Sequence, residues 1–383
     1  MAGIYVHIPF CRKACHYCNF HFSTQTTGIA AMVQAMVRHI SWAPLSPGAD
    51  ALHPLSTIYF GGGTPSLLGL DDLDQLLTAI HQRFTVLPQA EVTLETNPDD
   101  MTAEKLKGWQ QLGINRLSIG VQSFFDADLQ WMNRAHNAQM AVSGIALAQQ
   151  LGLHNISIDL IYGTPTLSAQ CWQANVEQAL ALQVPHISCY ALTVEPKTAL
   201  HSMVAKGKTP PISDDTQSQQ FLQLMNWMQT AGYEHYEISN FCLPGQRSRH
   251  NSSYWSGQPY YGIGPSAHGY NGKHTRWWNV ANNALYVQAI EQGLPHFEHE
   301  TLTPVQHLNE QIMTGIRMHE GIAINRQQGL VCTTPVGDAD FLAFTKKIDR
   351  WQQRQMLVEQ QNRISLTHTG KLYADGIAAD LFF

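Results

Sequence analysis

The sequence predicts an α/β fold in which a parallel sheet of βα units precedes a smaller, mainly helical C-terminal domain. Short β-forming runs alternate with amphipathic stretches as far as about residue 195, which is typical of βα units. There are six such units, too few for an eight-stranded barrel. The character of the chain then changes after about residue 232, where the alternation stops.

Six candidate strands account for the sheet, and each is a short run rich in β-branched and aromatic residues. They are GIYVHI from Gly3, TIYFGG from Thr57, EVTLET from Glu91, RLSIGV from Arg116, NISIDLIYG from Asn155 and HISCYALTV from His186. Functional residues of parallel barrels collect at the carboxyl ends of the strands. Polar residues that end or directly follow these runs are therefore candidates for a site.

Amphipathic helices are predicted between the strands from apolar residues at helical spacing and from polar residues at their starts. They run from Ile29 to Ile40, from Leu70 to Phe84, from after Ser168 through Leu182, and from after Asp214 and Asp215 to near Gly232.

The chain is predicted to divide into residues 1–232, 233–300 and 301–383. The middle segment is rich in Gly, Tyr, Trp and His, and we expect it to complete one side of the barrel. The last segment ends in RISLTHTGKLYADGIAADLF, where a short strand precedes Thr369, Gly370 and a helix. This pattern resembles a small winged-helix-like domain.

The composition excludes several classes of protein. Acidic residues outnumber basic ones by 29 to 23, giving a net charge of -6 without blocks of like charge, which disfavours a nucleic-acid surface. No apolar run approaches the roughly 20 residues of a membrane span, and the N-terminus lacks the features of a signal peptide. Seven cysteines, an odd number, suit a reducing compartment better than a disulfide framework. We therefore expect a cytosolic protein.

Three cysteines, Cys11, Cys15 and Cys18, stand near the start of the chain with the spacing C-x3-C-x2-C. Three thiolates on one short loop can hold three corners of a cubane iron-sulfur cluster and leave the fourth iron free for an outside ligand, whereas ferredoxin-type carriers use four cysteines. The spacing resembles that of the radical SAM superfamily. A zinc site with a nearby histidine is the alternative, although zinc cysteines usually come in C-x2-C pairs.

Further polar or glycine-rich runs follow the predicted strands. The run Gly61 to Pro65 follows the second strand, and its missing side chains let backbone amides approach a ligand closely. A tight turn before the next helix is the alternative explanation of that run. The other polar residues near strand ends are Glu95, Gln122, Arg134 and Asp159.

Taken together, these blocks resemble the oxygen-independent coproporphyrinogen III dehydrogenase family, and especially its haem chaperone branch (HemW). The matching blocks, within residues 4 to 270, are YVHIPFCRKACHYCNF, YFGGGTPSLL, LETNP, NRLSIGVQSF, DLIYGTP, YALTVEP, HNSSYW and GIGPSAHGY. The resemblance implies a partial (β/α)6 radical SAM barrel and a C-terminal HemN-type domain.

The resemblance also implies the cofactors and the residues that hold them. The three cysteines would bind a [4Fe-4S] cluster whose open iron takes S-adenosylmethionine, and an electron donor would reduce the cluster so that it cleaves this cofactor to a 5'-deoxyadenosyl radical. Tyr5 and Tyr17 would flank S-adenosylmethionine, and Gly62 and Glu95 would bind it. The residues expected to face a second pocket, which holds a second S-adenosylmethionine in the dehydrogenase, are Gly63, Thr64, Gln122, Arg134 and Asp159.

The block from His250 to Trp255, HNSSYW, resembles an HNxxYW motif associated with the chaperone branch and with haem binding. Histidine is a natural axial ligand of haem iron, and a flat macrocycle favours aromatic neighbours. We therefore predict His250 as the haem ligand. A histidine bonded within a packed loop is the alternative, and His268 and Cys242 remain alternative ligands.

The leading hypothesis is a haem chaperone that binds haem and delivers it to apoproteins such as respiratory haem enzymes. The dehydrogenase carries one more cysteine where this chain has Phe20, and it has a long extension before its cluster where only ten residues precede Cys11 here. Both differences favour the chaperone. The alternatives are a dehydrogenase that converts two propionates of coproporphyrinogen III to vinyl groups, and a zinc-stabilised binding protein. No residue is assigned as catalytic, and the oligomeric state stays open.

Overall fold

The computed structural model describes residues 1–41, 45–47 and 52–383. One large mixed sheet carries helices packed against it, and a small C-terminal sheet has helices of its own. The α/β class is confirmed.

All six predicted strands form, and they are the central strands of the large sheet. They are β1 (Ala2–Ile8), β2 (Leu55–Gly62), β3 (Val86–Thr96), β4 (Arg116–Gln122), β5 (Ile156–Tyr162) and β6 (His186–Ala191). Each pairs in parallel with the next in chain order. Most of their residues are buried on both faces, which explains why the runs are nearly continuous in apolar residues.

Helices connect these strands and supply the outer layer of the core. They are α1 (Ile29–Ser41), α2 (Leu70–Arg83), α3 (Ala103–Gln111), α4 (Asp126–Trp131), α5 (Ala138–Gln150), α6 (Ala169–Ala181), α7 (Ala199–Ala205) and α8 (Asp214–Thr230). Ser168 caps α6 as predicted, with its hydroxyl accepting from the Cys171 amide at 3.1 Å. The cap of α8 is Ser213, so Asp214 and Asp215 lie in its first turn, where carboxylates favour the helix dipole.

Residues 233–300 extend the sheet at both edges. The elements are β7 (Glu234–Glu237), β8 (Asn240–Cys242), α9 (Arg249–Trp255), β9 (Tyr260–Ile263), β10 (His268–Tyr270), β11 (Thr275–Asn279), α10 (Asn283–Gln292) and β12 (Phe297–Thr301). β9 pairs in parallel with β1, and β8 pairs antiparallel with β6. The order β12-β11-β10-β9-β1-β2-β3-β4-β5-β6-β8-β7 does not close on itself in the described residues, as a partial barrel requires.

The C-terminal part has its own hydrophobic core, which includes Leu308, Ile316, Phe344 and Ile377. Its elements are α11 (Pro304–Arg317), β13 (Ile322–Asn325), β14 (Leu330–Val331), β15 (Thr334–Pro335), α12 (Asp338–Gln353), β16 (Leu357–Gln360), β17 (Arg363–Leu366) and α13 (Ala374–Leu381). The strands pair antiparallel in the order β15-β14-β13-β17-β16. The predicted three-part division, with its boundary near residue 300, stays a prediction.

Among the helices of residues 1–41, 45–47 and 52–383, none is long and apolar enough to cross a bilayer.

Candidate functional site

The loop that follows β1 carries the three predicted cluster cysteines. Its ends are held together because the Cys11 amide donates to the Ser23 carbonyl at 3.0 Å and the Ser23 amide donates to the Pro9 carbonyl at 2.9 Å. Its middle is tied to α7, where the Leu200 amide donates to the His16 carbonyl at 2.7 Å, and to the turn after α4, where Asn133 Nδ2 donates to the Ala14 carbonyl at 2.8 Å. The loop is therefore a fixed platform for the thiols.

The glycine run at the end of β2 lies directly against this loop. The Gly63 amide donates to the Ile8 carbonyl at 2.9 Å, and a Cβ on Gly63 would stand 2.6 Å from the Phe10 carbonyl oxygen. Gly62 has a φ of +110°, and a Cβ there would lie 2.5 Å from Nδ1 of His7. A side chain fits at neither position, so close backbone approach explains the glycines better than turn formation alone.

Glu95, at the end of β3, is a carboxylate held on the same side. Its Oε2 accepts from the Gly62 amide at 3.1 Å, and its Oε1 accepts from the Tyr59 hydroxyl at 2.8 Å. Burial raises the pKa of Glu95 to about 7, and the nearby Asp159 adds to the rise. The group is therefore poised near neutrality, and a ligand that donates hydrogen bonds would favour its ionised form.

Arg134 connects the ends of β3 and β4 to the cysteine loop. Its Nη1 donates to Cys15 Sγ at 3.4 Å, and its Nη2 donates to Asn97 Oδ1 at 2.6 Å and to the Gly120 carbonyl at 2.7 Å. Its Nε is buried and has no hydrogen-bond partner among the described residues. A cation with an unused buried donor fits an anionic or polar ligand at this position.

Gln122 ends β4, and Asp159 lies in the middle of β5, and both line the same cavity as these groups. Gln122 adopts a φ of +67°, in the left-handed region that non-glycine residues seldom occupy, at an irregularity in the pairing of β4 with β5. Burial raises the pKa of Asp159 to about 6, although a hydrogen bond with Ser188 opposes the rise. Two buried carboxyl groups therefore titrate close to neutral pH on this side of the sheet.

One cavity of about 510 Å³, called here the first cavity, brings these residues together. The predicted site residues that line it are Cys11, Cys15, Tyr17, Cys18, Gly62, Gly63, Thr64, Glu95, Gln122, Arg134 and Asp159. Its volume lies within the roughly 300–1,000 Å³ of small-molecule and cofactor sites. The first cavity lies at the carboxyl ends of the parallel strands, as the sequence predicts.

The residues present fit an iron-sulfur cluster and S-adenosylmethionine. The three cysteines are free thiols on one loop, and Thr64 Oγ1 lies 3.6 Å from Cys11 Sγ. Burial raises the pKa of the Cys11 thiol to about 11 and also raises that of Cys18. Because thiols must lose their protons to bind iron, cluster assembly would release protons. The glycine cradle and the buried Glu95 line the same cavity as the thiols and would hold a cofactor bound there.

The histidines beside the cysteines do not favour the zinc alternative. His7 Nε2 bonds to the His21 carbonyl at 2.8 Å, His16 Nδ1 bonds to the Trp131 carbonyl at 2.7 Å, and His21 Nε2 bonds to Asn283 Oδ1 at 2.8 Å. Each ring is thus engaged by a protein oxygen. Within the described ranges, no three Cys, His, Asp or Glu side chains converge on a single metal position.

Two predicted residues lie outside the first cavity. The Tyr5 hydroxyl bonds to His7 Nδ1 at 3.2 Å, and its ring stacks on Tyr59 with centroids 6.0 Å apart, one layer behind Gly61. His250 is deeper, and only 1% of it is exposed. These two residues therefore do not share a surface with the cysteines.

His250 is fixed by hydrogen bonds from both ring nitrogens. Nδ1 lies 2.7 Å from Thr57 Oγ1, and Nε2 lies 2.8 Å from the Tyr254 hydroxyl. Its ring stacks on Tyr59 with centroids 4.9 Å apart, so one aromatic ring separates it from Glu95. Burial, together with the charge of Arg116, lowers its pKa to about 3. Iron coordination by His250 would require one of these bonds to break.

The two alternative haem ligands, Cys242 and His268, also lie outside the first cavity. Cys242 is fully buried within β8, and His268 is exposed on β10, where its ring lies 6.2 Å from that of Trp278.

Sequence reasoning missed two residues that shape the site. Asn97 bridges Arg134 and Thr64, to which its Nδ2 donates at 3.3 Å, and its place two residues after Glu95 in LETNP was an available signal. Arg116 begins β4 and is only 1% exposed, and its three guanidinium nitrogens have no hydrogen-bond partner in the described part of the chain. Its charge helps to limit the rise of the Glu95 and Asp159 pKa values.

Comparisons with known proteins agree with this geometry. A model of the radical SAM superfamily matches residues 5–179. The chain is 32% identical over 380 residues to the heme chaperone HemW of Bacillus subtilis, covering 98% of each chain. It is 33% identical over 404 residues to the heme chaperone HemW of Synechocystis, covering 99% of this chain and 95% of that relative.

A solved structure supports the fold independently. Coproporphyrinogen III oxidase (HemN) from Escherichia coli, a radical SAM enzyme, superposes with a TM-score of 0.83 over 100% of this chain and 90% of that one. The two sequences are 21% identical. At that identity the likeness carries the fold and not the activity.

Proposed function

The chain belongs to the HemW family within the radical SAM superfamily, and on this premise we propose that it is a haem chaperone that binds haem and delivers it to apoproteins. The full-length similarity to the HemW chaperones carries the proposal. The HNSSYW block and Phe20, in place of the dehydrogenase's additional cysteine, support it from the sequence. Respiratory haem enzymes are the proposed recipients, and the predicted cytosolic location forms part of the proposal.

We propose that Cys11, Cys15 and Cys18 hold a [4Fe-4S] cluster and that the first cavity receives S-adenosylmethionine. When bound, these groups supply reductive cleavage of a carbon-sulfur bond. Gly62 and Gly63 would leave room for the cofactor at the strand end, and Glu95 would accept hydrogen bonds from its ribose hydroxyls. Tyr17 would flank it.

Arg134, Gln122, Thr64 and Asp159 are proposed to orient whatever occupies the rest of the first cavity. Arg134 holds its position through Asn97 and Gly120, which leaves its buried Nε free to donate. The proposed role of Tyr5 is indirect, since its ring supports Gly61 from behind. His250 remains a predicted haem ligand.

The test combines haem binding, haem transfer and turnover on one sample. The protein is reconstituted anaerobically with iron and sulfide, titrated with ferric haem in the visible spectrum, and then mixed with the apo-forms of respiratory haem enzymes. The same sample is assayed with coproporphyrinogen III, S-adenosylmethionine and a reductant. We expect haem binding and transfer without formation of protoporphyrinogen.

The outcomes separate the candidate functions. Turnover of coproporphyrinogen III by cluster-loaded protein would overturn the proposal in favour of the dehydrogenase. Zinc in place of iron and sulfide would favour the zinc-stabilised binding protein. Absence of haem binding by cluster-loaded protein would refute the chaperone proposal directly.

A further inference from the structure

A second cavity, of about 600 Å³, lies between α9, strands β9 to β11 and the C-terminal part of the chain. Its size also falls in the range of cofactor sites, about 300–1,000 Å³. It shares no lining residue with the first cavity. Tyr254 and Trp255 of the HNSSYW block line it, whereas His250 of the same block does not. The block therefore presents aromatic side chains to a space that its histidine does not reach.

The walls of the second cavity suit a flat aromatic ligand. The rings of Tyr254 and Tyr260 meet edge to face with centroids 4.5 Å apart, and Tyr260 lies 6.3 Å from Tyr270. Ile322 and Met313 add apolar surface from the C-terminal part. Met313 is 42% exposed, which leaves the cavity accessible from solvent.

A histidine with a defined tautomer faces this space. His307, half-buried on α11, has its Nδ1 3.5 Å from the Tyr270 hydroxyl. That hydroxyl donates its only hydrogen to the Lys273 carbonyl at 2.7 Å, so toward His307 it can act only as an acceptor. Nδ1 therefore carries the proton, and the lone pair of Nε2 is left for another partner. Metal-binding histidines are oriented by such a bond from the opposite nitrogen.

The present partner of Nε2 is easily displaced. Gln311, one turn further along α11, donates its amide to His307 Nε2 at 3.0 Å. The amide oxygen of Gln311 is buried and has no hydrogen-bond partner among the described residues. Gln311 is thus held at this end by one bond between neutral groups. His250, by contrast, is locked by two bonds in a packed interior.

Two arginines supply positive charge at the edge of the second cavity. Arg276 is paired with Glu300 and Glu310, so its charge is already balanced. Arg363 donates to the carbonyls of Glu320 at 2.6 Å and Gly321 at 2.7 Å. Within the described ranges it makes no ion pair, so its charge is available to an anionic group such as a propionate.

We propose that the second cavity is the haem-binding site, with His307 Nε2 as the axial ligand and Arg363 facing a propionate. The inference rests on the proposed haem chaperone function and names the site at which that function is carried out. Tyr254 and Trp255 form part of the wall, which gives the HNSSYW block a role in haem binding that does not require its histidine to touch iron.

Cys332 also lines this cavity, and its thiol is a second candidate ligand. Burial raises the pKa of its thiol to about 11, which keeps it protonated at neutral pH. Coordination by Cys332, like that by Cys11, would therefore require release of a proton, whereas His307 Nε2 already offers a lone pair. His307 is therefore the better candidate of the two.

The test is a ferric haem titration of the full-length protein and of His307→Ala, Arg363→Gln and His250→Ala. His299→Ala is the matched control, because His299 is exposed on β12 and lines neither cavity. Thermal unfolding of each variant checks folding. We expect His307→Ala to weaken haem binding by at least the roughly 10–100-fold that outer-shell changes cost, and to shift the Soret band. Added imidazole should restore the wild-type spectrum.

Arg363→Gln should weaken haem binding by about tenfold and should have no effect on the dimethyl ester of haem, which lacks free propionates. If wild type binds haem and His307→Ala binds it with unchanged affinity and spectrum, the site is elsewhere and the chaperone proposal stands. If wild type itself does not bind haem, both proposals fail. Loss of binding in His250→Ala alone, with that variant folded, would assign the iron to His250.

Discussion

The first cavity draws its residues from the carboxyl ends of consecutive parallel strands, whereas the second draws its residues from elements far apart in the chain. Each of β1 to β4 ends in or leads into residues of the first cavity that the sequence singled out, and β5 contributes Asp159 from its middle. The second cavity combines α9, three strands that extend the barrel, α11 and β13. A strand-end site leaves a repeating signal in sequence, and a site between separately packed parts does not.

The two cavities also differ in how their polar groups are satisfied. In the first, Glu95 and all of the Arg134 guanidinium except its Nε are held by partners that include neighbouring strand ends, and their buried charges would be costly without them. In the second, the side-chain oxygen of Gln311 has no hydrogen-bond partner among the described residues, and Arg363 donates there to backbone carbonyls rather than to a carboxylate. The first is preorganised for fixed cofactors, and the second is suited to a ligand that arrives and leaves.

The largest effect is expected at the cysteine loop. Cys15→Ala should abolish stable cluster assembly, because the remaining thiols can hold only two irons, while haem binding at the second cavity persists. Iron and sulfide content after anaerobic reconstitution measures the first effect, and a haem titration measures the second. Cys171→Ala, at the start of α6 and outside both cavities, is the control. Equal iron content in the two variants would show that the ligands are assigned wrongly.

The next effect concerns the glycine cradle. Gly62→Ala should lower the free energy of unfolding by about 3 kcal/mol, since it combines a strained φ with a collision against His7. Gly207→Ala is a matched control, with a φ of +65° and open space around its Cβ, and should cost only about 1 kcal/mol. Chemical denaturation of both variants gives the comparison. Equal losses would mean that close approach at Gly62 is unimportant.

The affinity of the first cavity for S-adenosylmethionine is expected to depend on pH. The raised pKa of Glu95, about 7, means that the folded protein holds a proton there that an S-adenosylmethionine ribose would displace. The ionised fraction rises from about a tenth at pH 6 to about nine tenths at pH 8, so affinity for S-adenosylmethionine should rise about tenfold over that range.

Anaerobic calorimetry at the two pH values measures this change. Glu95→Gln should flatten the profile. Asp159→Asn should keep most of it, because the Asp159 pKa of about 6 contributes a smaller change over the same range. A steep profile that survives in Glu95→Gln would locate the titrating group elsewhere.

The smallest effect distinguishes a structural role of His250 from a role as the haem ligand. Tyr254→Phe removes the hydroxyl bonded to His250 Nε2 and should cost about 1 kcal/mol of stability, while haem affinity stays unchanged. Tyr260→Phe keeps the neighbouring ring and spares His250, so it should cost less. Urea denaturation and haem titration of the pair check both statements. A large loss of haem affinity in Tyr254→Phe but not in Tyr260→Phe, which alters the same cavity without touching His250, would favour His250 as the iron ligand.

Much of the fold was predictable because parallel strands buried on both faces are continuous apolar runs in sequence. The six barrel strands and Ser168 as a helix cap are confirmed. The sequence predicts a mainly helical C-terminal domain, and most of its short strands were not predicted. β14 and β15 are two residues each, too short to show an alternating pattern.

The site was predictable where chemistry and strand ends coincide, and not elsewhere. Glu95 stands out as a carboxylate near the end of an apolar run, and Asp159 as a carboxylate within one. The motif around His250 gave a residue type without its surroundings, and only the structure gives the bonds to Thr57 and Tyr254. His307 lies in an ordinary amphipathic helix, so its sequence context carries no sign of the cavity it faces.

Helix α9 stands one aromatic ring from Glu95 on one side and forms the wall of the second cavity on the other. A single short helix thus touches the surroundings of both proposed ligands. Thermodynamic linkage then imposes a symmetric condition on the molecule. By whatever factor bound S-adenosylmethionine changes the affinity for haem, bound haem must change the affinity for S-adenosylmethionine by the same factor.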